Sequence, residues 1–298
     1  MRSFAGVHGP VTTPFRGDGE LDRAAFEHNV RAHLAQGLHG IVATGSTGEA
    51  PLLDEREREQ LIEWARPLVP KDTLLVAGIG AESTRVAVQR AKSAAKAGAD
   101  AALVVAPHYF GSAVTEDGLR AHYRAVADGS PIPILLYNIP KYMHFRLGGA
   151  LVGELARHPN IVGIKDSSGA PESLTEYLAA QSDDFTVLTG NAQLFRRALQ
   201  MGARGGILAV ALFAGDLAMT VWNAARTGDD VTADAAAGPL GALGKGIVAD
   251  LGIAGVKAAL DAVGLRGGAP RGPLTALRGG DLETVRQLLR DAELAVAA

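Results

Sequence analysis

Short apolar runs alternate with longer amphipathic segments eight times in the first 226 residues of the chain. The apolar runs, which have the length of strands, are residues 7–13, 40–43, 74–77, 101–105, 132–137, 161–164, 185–188 and 206–210. Each is followed by a segment with helical spacing, at residues 21–36, 54–68, 83–97, 116–127, 147–157, 172–181, 192–201 and 214–226. Repeated units of this kind indicate an α/β protein with parallel strands and right-handed crossovers. A closed (β/α)8 TIM barrel is the economical arrangement at this length, and a doubly wound open sheet is the alternative.

The remaining segment, residues 227–298, is rich in alanine and leucine and has the character of helices. Within it, residues 264–273 contain four glycines and two prolines, which is typical of a loop. No low-complexity linker separates this segment from the rest. The sequence therefore predicts a catalytic barrel over residues 1–226 and an extension of three helices, packed on the barrel, over residues 227–298.

The composition narrows the class of protein. The chain has no cysteine, which excludes disulfides and thiolate metal sites and favours a cytoplasmic protein without a cofactor. Its formal net charge of −3 gives no electrostatic reason to expect nucleic-acid or membrane binding. No apolar stretch is long enough to span a bilayer. No acidic or histidine cluster has metal-ligand spacing, and His28 and His33 are expected on a helix surface, so no metal site is predicted.

Lys165 follows the apolar run of residues 161–164 and precedes a turn of Asp, Ser, Ser and Gly. In a parallel barrel the carboxyl ends of the strands carry the chemistry, and a lysine there is partly removed from water. Burial disfavours the charged amine, and a neutral amine is a nucleophile. The plainer alternative is a lysine that reaches water or pairs with Asp166.

Two more predicted strand ends carry groups of chemical interest. Residues 44–49 place Ser46 and Thr47 between two glycines, and such a loop can present N–H and O–H donors to an anion. The loop lacks the lysine and spacing of a triphosphate-binding motif, which favours a carboxylate. Tyr137 ends the fifth run, where its phenol can relay a proton, although a tyrosine that caps the core is the commoner case.

Other patterns carry less weight. The aromatic loop of residues 107–111, which includes Tyr109, is more typical of a subunit contact than of catalysis. Residues 78–83 begin as a dinucleotide-binding motif, but Ser83 stands where its third glycine belongs. A nicotinamide-dependent enzyme is therefore a weak alternative. No Ser-His-Asp arrangement can be assembled from the sequence.

Three motifs resemble those of one family when taken together and in order. They are Gly-Ser-Thr-Gly-Glu at residues 45–49, Tyr-Asn-Ile-Pro at residues 137–140, and Gly-Ile-Lys-Asp-Ser-Ser-Gly at residues 163–169. The chain resembles the dihydrodipicolinate synthase / N-acetylneuraminate lyase family of Schiff-base aldolases over nearly its whole length. The resemblance implies a (β/α)8 barrel with a helical C-terminal extension. It also implies an imine between a lysine and the ketone of pyruvate or another 2-oxo acid.

The resemblance assigns expected roles to matching residues. Lys165 would form the imine, and Tyr137 would relay protons to and from it. Thr47 would hydrogen-bond Tyr137 and extend the relay. Ser46 and Thr47 would hold the carboxylate of the 2-oxo acid. A protonated imine is an electron sink that needs neither metal nor cofactor, so the implied chemistry agrees with the composition.

Further matches concern the pocket and the assembly. Gly190 and Ile207 match positions that line the pyruvyl pocket. Tyr109 matches a tyrosine that similar synthases insert across a subunit interface to complete the neighbour's relay. The resemblance therefore implies a homo-oligomer, a dimer or tetramer.

The chain also departs from the family pattern. Typical dihydrodipicolinate synthases carry, two residues after the proline, an arginine that binds the carboxylate of the aldehyde substrate, and Tyr142 stands there. His144 replaces the family's usual glycine. A tyrosine cannot form the bidentate pair of an arginine. The pocket for feedback lysine is not recognisable either, since its positions hold Ala50, Pro51, Glu55 and Arg58.

The sequence thus predicts a class I lyase that acts on pyruvate or another 2-oxo acid, with an aldehyde as second substrate. A 2-keto-3-deoxy sugar-acid or 4-hydroxy-2-oxo acid aldolase is favoured. A 2-oxo sugar-acid dehydratase and a 4-hydroxy-tetrahydrodipicolinate synthase, acting through the same imine, are the alternatives. A sensor that binds a 2-oxo acid without turnover is the alternative of another class. Lys141, Tyr142 and His144 are the candidate specificity residues.

Overall fold

Eight parallel strands form a closed barrel in the order β1 to β8 in the computed structural model, which describes residues 3–296. The strands are β1 (Gly6–Pro10), β2 (Gly40–Ala43), β3 (Leu74–Gly78), β4 (Ala101–Val105), β5 (Ile134–Asn138), β6 (Ile161–Asp166), β7 (Thr186–Thr189) and β8 (Gly205–Ile207). Each strand pairs with the next, and β8 closes the ring on β1. The predicted (β/α)8 TIM barrel is confirmed, and the open sheet is excluded.

Helices cover the outside of the barrel and continue beyond it. They are α1 (Arg23–Ala35), α2 (Glu55–Ala65), α3 (Thr84–Lys96), α4 (Glu116–Gly129), α5 (Pro140–Met143), α6 (Gly149–Leu155), α7 (Pro171–Leu178), α8 (Phe195–Gln200), α9 (Gly215–Thr227), α10 (Asp230–Leu243), α11 (Gly252–Ala262) and α12 (Gly280–Asp291). Local signals fix several ends. Asp54 and Glu57 form a capping box at the start of α2, for example.

Two local features differ from the prediction. The run of residues 206–210 is not one strand, because β8 ends at Ile207 and the chain turns into a 3₁₀ helix at Ala209–Leu212. The short helix α5 was not predicted. It begins with Pro140 in its first turn, where the missing N–H of proline costs no helical hydrogen bond.

The strand register sets the position of the candidate residues. Tyr137 of β5 pairs with Lys165 of β6, and Lys165 pairs in turn with Leu188 of β7. Nearly every strand residue is buried, as expected for parallel strands covered by helices. The carboxyl ends of these strands therefore bring Tyr137 and Lys165 together at one end of the barrel.

The C-terminal helices of the prediction are confirmed. Helices α10, α11 and α12 follow the barrel, and a π-helical segment, Gly244–Asp250, joins the first two. Helix α10 packs against α8 and α9, and α11 packs against the 3₁₀ helix that follows β8. The division at residue 227 stays a prediction. Residues 1–2 of the predicted barrel domain and residues 297–298 of the predicted extension lie outside the described residues.

Within residues 3–296, no helix has the length and apolarity needed to cross a membrane. The same part of the chain contains no group of three or more histidine, cysteine, aspartate or glutamate side chains placed to hold a metal ion.

The expected surface position of His33 is wrong, whereas His28 is exposed as predicted. His33 lies on the face of α1 that packs against the barrel, together with Phe26 and Val30. His33 and His8 are buried, and burial lowers the pKa of each to about 4, because it disfavours the charged ring. Both rings are therefore neutral in the folded protein near pH 7.

Because these histidines are buried, the folded protein should lose stability in acid. Their pKa in the folded chain lies below the ordinary value of 6.5, so the unfolded chain binds more protons between these values. The free energy of unfolding should therefore be highest above about pH 6.5 and fall toward pH 4, by roughly 1–2 kcal/mol per histidine between pH 7 and 5. Urea denaturation of the wild type, His33→Gln and His28→Gln at both pH values measures this effect. We expect a smaller loss in His33→Gln only. An equal loss in all three proteins would argue against this origin.

Candidate active site

Lys165 is buried at the carboxyl end of β6, with 5% of its surface exposed. Its Nζ lies 4.2 Å from the centroid of the Tyr137 ring. Among the described residues no carboxylate oxygen lies within ion-pair distance of this amine. The lysine neither reaches water freely nor pairs with Asp166, so both plainer explanations of its position are excluded.

Asp166 has other partners. It accepts hydrogen bonds from Asn138 Nδ2 at 2.8 Å, Ser168 N at 3.0 Å and Ser168 Oγ at 2.8 Å. Burial raises the pKa of this carboxyl group, and the hydrogen bonds from Asn138 and Ser168 oppose that rise. Asn138 Oδ1 in turn accepts from Leu147 N. The network ties the ends of β5 and β6 together and turns Asp166 away from Lys165.

A cavity of about 150 Å³ lies above the barrel at Lys165. The predicted site residues that line it are Ser46, Thr47, Tyr137, Lys141, Tyr142, Lys165, Gly190 and Ile207. A space of this size holds a few water molecules or a small organic acid. The structure thus brings together eight of the ten predicted site residues, and the exceptions are His144 and Tyr109.

The loop of residues 44–49, here named the β2 loop, forms one side of the cavity. Its two ends, Thr44 and Glu49, have positive φ angles of 54° and 57°, which side-chain-bearing residues adopt rarely. The backbone N–H groups of Gly48 and Glu49 donate back to residues of the same loop. Ser46 and Thr47 stand half-buried between buried neighbours and reach the cavity. The loop presents two hydroxyls next to the amine of Lys165.

The hydrogen bond implied between Thr47 and Tyr137 is not formed. Among residues 3–296, no hydrogen bond joins the Tyr137 hydroxyl to Thr47 Oγ1, although both residues line the same cavity. The relay that the resemblance implies between these two residues therefore stays a prediction.

Gly190, after β7, borders the lysine directly. A Cβ atom added here would lie 2.8 Å from Lys165 Cε and 1.9 Å from Ser167 Oγ. Only a residue without a side chain leaves room for both groups. Ser167 also lines the cavity and was not singled out from the sequence, where the Asp-Ser-Ser-Gly run indicates only a turn.

The candidate specificity residues lie at the rim. Lys141 and Tyr142 line the first cavity and also a neighbouring one of about 870 Å³, which His144 lines as well. Lys141 Nζ donates to Ala249 O at 2.9 Å, on the π-helical segment. Burial and the nearby Tyr137 raise the pKa of Tyr142, so its phenol stays neutral. His144 directly follows α5 as its C-cap residue and has a φ of 62°. This conformation favours glycine, the residue expected here from the resemblance.

Tyr109 lies outside the first cavity. It is 78% exposed, beside Phe110, which is 68% exposed, and the two rings meet edge to face at 5.0 Å. The backbone N–H of Tyr109 donates to Glu82, which fixes the loop. In a single chain this tyrosine reaches neither Lys165 nor Tyr137, so its predicted place in a neighbour's relay stays a prediction.

The outer wall of the cavity comes from the C-terminal extension. Gly244, Val248 and Ala249 of the π-helical segment line it, as do Ile253 and Val256 of α11. Such π-helical segments are frequent at functional sites. These wall residues were not predicted, because a helical sequence pattern does not distinguish π from α hydrogen bonding.

Comparison with known proteins decides the family. The profile of the dihydrodipicolinate synthetase family matches residues 3–292. The chain belongs to the dihydrodipicolinate synthetase family. Members of this family are lyases that form a Schiff base between a lysine and pyruvate, and this chain is an enzyme of that kind. The predicted family and enzyme class are confirmed.

Individual members of the dihydrodipicolinate synthetase family are similar over their whole length. A protein of Thermodesulfovibrio yellowstonii named 4-hydroxy-tetrahydrodipicolinate synthase is 35% identical over 291 residues, 98% of this chain and 99% of that protein. The crystal structure of the chloride-inhibited dihydrodipicolinate synthase from Acinetobacter baumannii, complexed with pyruvate, matches with a TM-score of 0.93 and 33% identity over 98% of this chain and 100% of that one. The Aquifex aeolicus dihydrodipicolinate synthase matches with a TM-score of 0.93 and 30% identity over 99% of this chain and 100% of that one.

The close approach at Gly190 predicts a strong effect of one methyl group. In Gly190→Ala the new Cβ must displace Lys165 or Ser167, and a displacement of about 1 Å costs roughly a hundredfold in rate. Gly153→Ala is the matched control, since a Cβ there meets nothing within 4 Å. The rate at which each variant exchanges the C3 protons of pyruvate with deuterated water measures imine and enamine formation. A Gly190→Ala variant as active as Gly153→Ala would contradict the geometry.

Proposed function

We propose that this enzyme uses Lys165 to form an imine with pyruvate and joins the resulting enamine to an aldehyde, or cleaves the same bond. One observation carries the assignment. The amine is buried beside Tyr137, without a carboxylate partner among the described residues, in a cavity lined by the hydroxyls of Ser46 and Thr47. A lysine amine that is largely removed from solvent, has no carboxylate partner and faces a cavity is a candidate nucleophile.

The residues support each step of the reaction. Lys165 Nζ attacks C2 of pyruvate, the ketone oxygen leaves as water, and a protonated imine remains. Loss of a C3 proton then gives the enamine: the C3–H bonding pair becomes the C2–C3 double bond, and the π pair of the protonated imine moves onto nitrogen. Tyr137 lies against the amine and is the candidate base for this proton. Ser46 and Thr47, with their own backbone N–H groups, are the candidate donors to the carboxylate.

The pocket supports a neutral, hydroxylated aldehyde as the acceptor. Tyr142 and the amide and hydroxyl side chains of Ser167 and Gln193 face the space next to Lys165. None of these carries a positive charge, and the ammonium of Lys141 is bonded to Ala249 O at the rim. Neutral hydrogen-bond donors and acceptors suit the hydroxyl groups of such an aldehyde. We therefore favour a 2-keto-3-deoxy sugar-acid or 4-hydroxy-2-oxo acid aldolase.

A second candidate is 4-hydroxy-tetrahydrodipicolinate synthase, because relatives at 35% identity bear that name. Against it stands Tyr142, at the position of the arginine that would pair with the carboxylate of the aldehyde. Without the arginine, the carboxylate of the aldehyde would lie near an uncharged ring, and the binding energy of the bidentate pair would be lost. A dehydratase acting through the same imine, and a sensor without turnover, are the further alternatives that a product assay separates.

The exposed pair Tyr109 and Phe110 supports an oligomeric enzyme. Large apolar patches on a monomer are uncommon, and aromatic rings are enriched at subunit contacts. We propose that this loop contacts a second copy of the chain. Tyr109 of one copy would then complete the proton relay at Tyr137 of the other. We also propose that the chain is divided into a barrel domain, residues 1–226, and a helical extension, residues 227–298. The enzyme is proposed to act in the cytoplasm.

Two substitutions test the assignment of the catalytic residues. Lys165→Ala should abolish exchange of the pyruvate C3 protons with deuterated water, because no imine can form. Tyr137→Phe should slow exchange about a hundredfold or more, since it removes the proton carrier and keeps the ring. Proton nuclear magnetic resonance follows both. Lys71→Ala, which removes an exposed lysine that precedes β3, is the control and should match the wild type. Full exchange by Lys165→Ala would overturn the proposal.

The acceptor is tested with a panel of aldehydes. With pyruvate, the wild type should give aldol products with glyceraldehyde and glycolaldehyde and little product with aspartate semialdehyde, as measured by mass spectrometry. Tyr142→Arg should raise the relative rate with the carboxylated aldehyde by roughly tenfold, because it restores a bidentate partner. Tyr142→Leu controls for loss of the phenol.

A wild-type preference for aspartate semialdehyde would instead favour the synthase. Loss of water from a 2-oxo sugar acid without any aldol product would favour the dehydratase. Binding of pyruvate without product across the panel would favour the sensor.

A further inference from the structure

A fully buried ion pair joins the C-terminal extension to the β2 loop. Lys257 of α11 and Glu49 at the end of the loop are each 1% exposed, and Lys257 Nζ lies 2.5 Å from Glu49 Oε1. The ammonium has two further acceptors, Thr13 O at 2.8 Å and Ala269 O at 3.0 Å. The ammonium thus has two carbonyl acceptors and one carboxylate oxygen at ion-pair distance.

Glu49 is held from a second direction. Its other carboxylate oxygen, Oε2, accepts from Arg271 N at 2.8 Å. The side chain of Arg271 pairs with both oxygens of Glu57 at 2.6 and 2.7 Å and donates to Gly19 O at 2.6 Å. The loop that follows α11 is therefore fixed to the barrel, and it holds the carboxylate of Glu49 in one orientation.

The backbone of the β2 loop is clamped next to this pair. Thr13 Oγ1 donates to Gly48 O at 2.7 Å, while the carbonyl of Thr13 accepts from Lys257. Gly48 itself lies so close to the segment that follows β1 that an added Cβ atom would lie 3.0 Å from Val11 O. Lys257 therefore contacts both the segment that grips Gly48 and the side chain of Glu49.

The conformation of the loop needs such support. Thr44 and Glu49 hold positive φ angles, and residues with side chains keep this conformation only where the surroundings fix it. A buried carboxylate also requires a partner, because an unpaired charge away from water is strongly unfavourable. Without the ammonium, Glu49 would move toward water and take the adjoining hydroxyl-bearing residues with it.

We propose that Lys257 is a positioning residue: its ion pair with Glu49 keeps the β2 loop in the conformation that binds the carboxylate of pyruvate. Lys257 does not line the cavity at Lys165, so it acts through the loop and not by touching substrate. This inference rests on the proposed function. It assigns the C-terminal extension a part in substrate binding, beyond the cavity wall that α11 and the π-helical segment supply.

The expected effect is on pyruvate binding more than on chemistry. In Lys257→Met, the KM for pyruvate in the proton-exchange assay should rise about tenfold or more, while the rate at saturating pyruvate should stay within about threefold of the wild type. Leu260→Ala is the matched control, because it removes buried apolar volume from the same helix and no charged group. A rise in KM in both variants would indicate general loosening and overturn the proposal.

A double-mutant cycle separates a specific role from a structural one. Glu49→Gln removes the charge that Lys257 holds, so the Lys257→Met/Glu49→Gln double variant should have a KM close to that of Lys257→Met alone. Independent multiplication of the two effects would overturn the proposal. If the Lys257→Met chain does not fold, Glu49→Gln carries the test by itself, and an unchanged KM in that variant is the contradicting result.

Calorimetric Kd values for pyruvate keep this inference separate from the proposed reaction. A wild-type chain that binds pyruvate without exchanging its protons would overturn the proposed function and leave the inference to be judged on Kd. A folded Lys257→Met chain with the Kd of the wild type would overturn the inference and leave the proposed function standing.

Discussion

Burial of one amine without an opposing carboxylate is the constraint around which the site is organised. The closed barrel sets Lys165 beside Tyr137 by register, and the network of Asn138 and Ser168 keeps Asp166 away from the amine. Gly190 leaves the space in which the lysine side chain lies. A lysine that serves only solubility would need none of these features, and all of them suit the proposed attack of this amine on a ketone.

A second buried charge, on Lys257, has the opposite solution, because it is fully paired. The ion pair of Lys257 with Glu49 links α11 to the β2 loop. The ammonium of Lys257 is therefore not a group that would contact the substrate. The two lysines thus divide the work. In the proposed reaction, Lys165 is left without a carboxylate partner so that it can attack the ketone, and Lys257 supports the donors that would orient the substrate. Strain at Thr44 and Glu49 is maintained by this support from the C-terminal extension.

The sequence predicted the barrel and the position of Lys165, because strand and helix periods and turn residues are local signals. It predicted which strand ends meet, since the barrel topology brings them together. It missed the contact of Ser167 with the Gly190 position, the π-helical wall and the pair of Lys257 with Glu49, which depend on residues far apart in the chain. His33 was misplaced because a lone histidine on a helix gives no sign of which face is buried.

Chemical trapping of the imine is the most direct test of the proposal that Lys165 forms it. The protein is incubated with pyruvate, reduced with borohydride and mapped by peptide mass spectrometry. The account predicts one stable adduct, on the peptide that contains Lys165, and none when pyruvate is omitted or when Lys165 is replaced by alanine. A folded wild-type protein that gives no adduct, or one modified at another lysine, would contradict it.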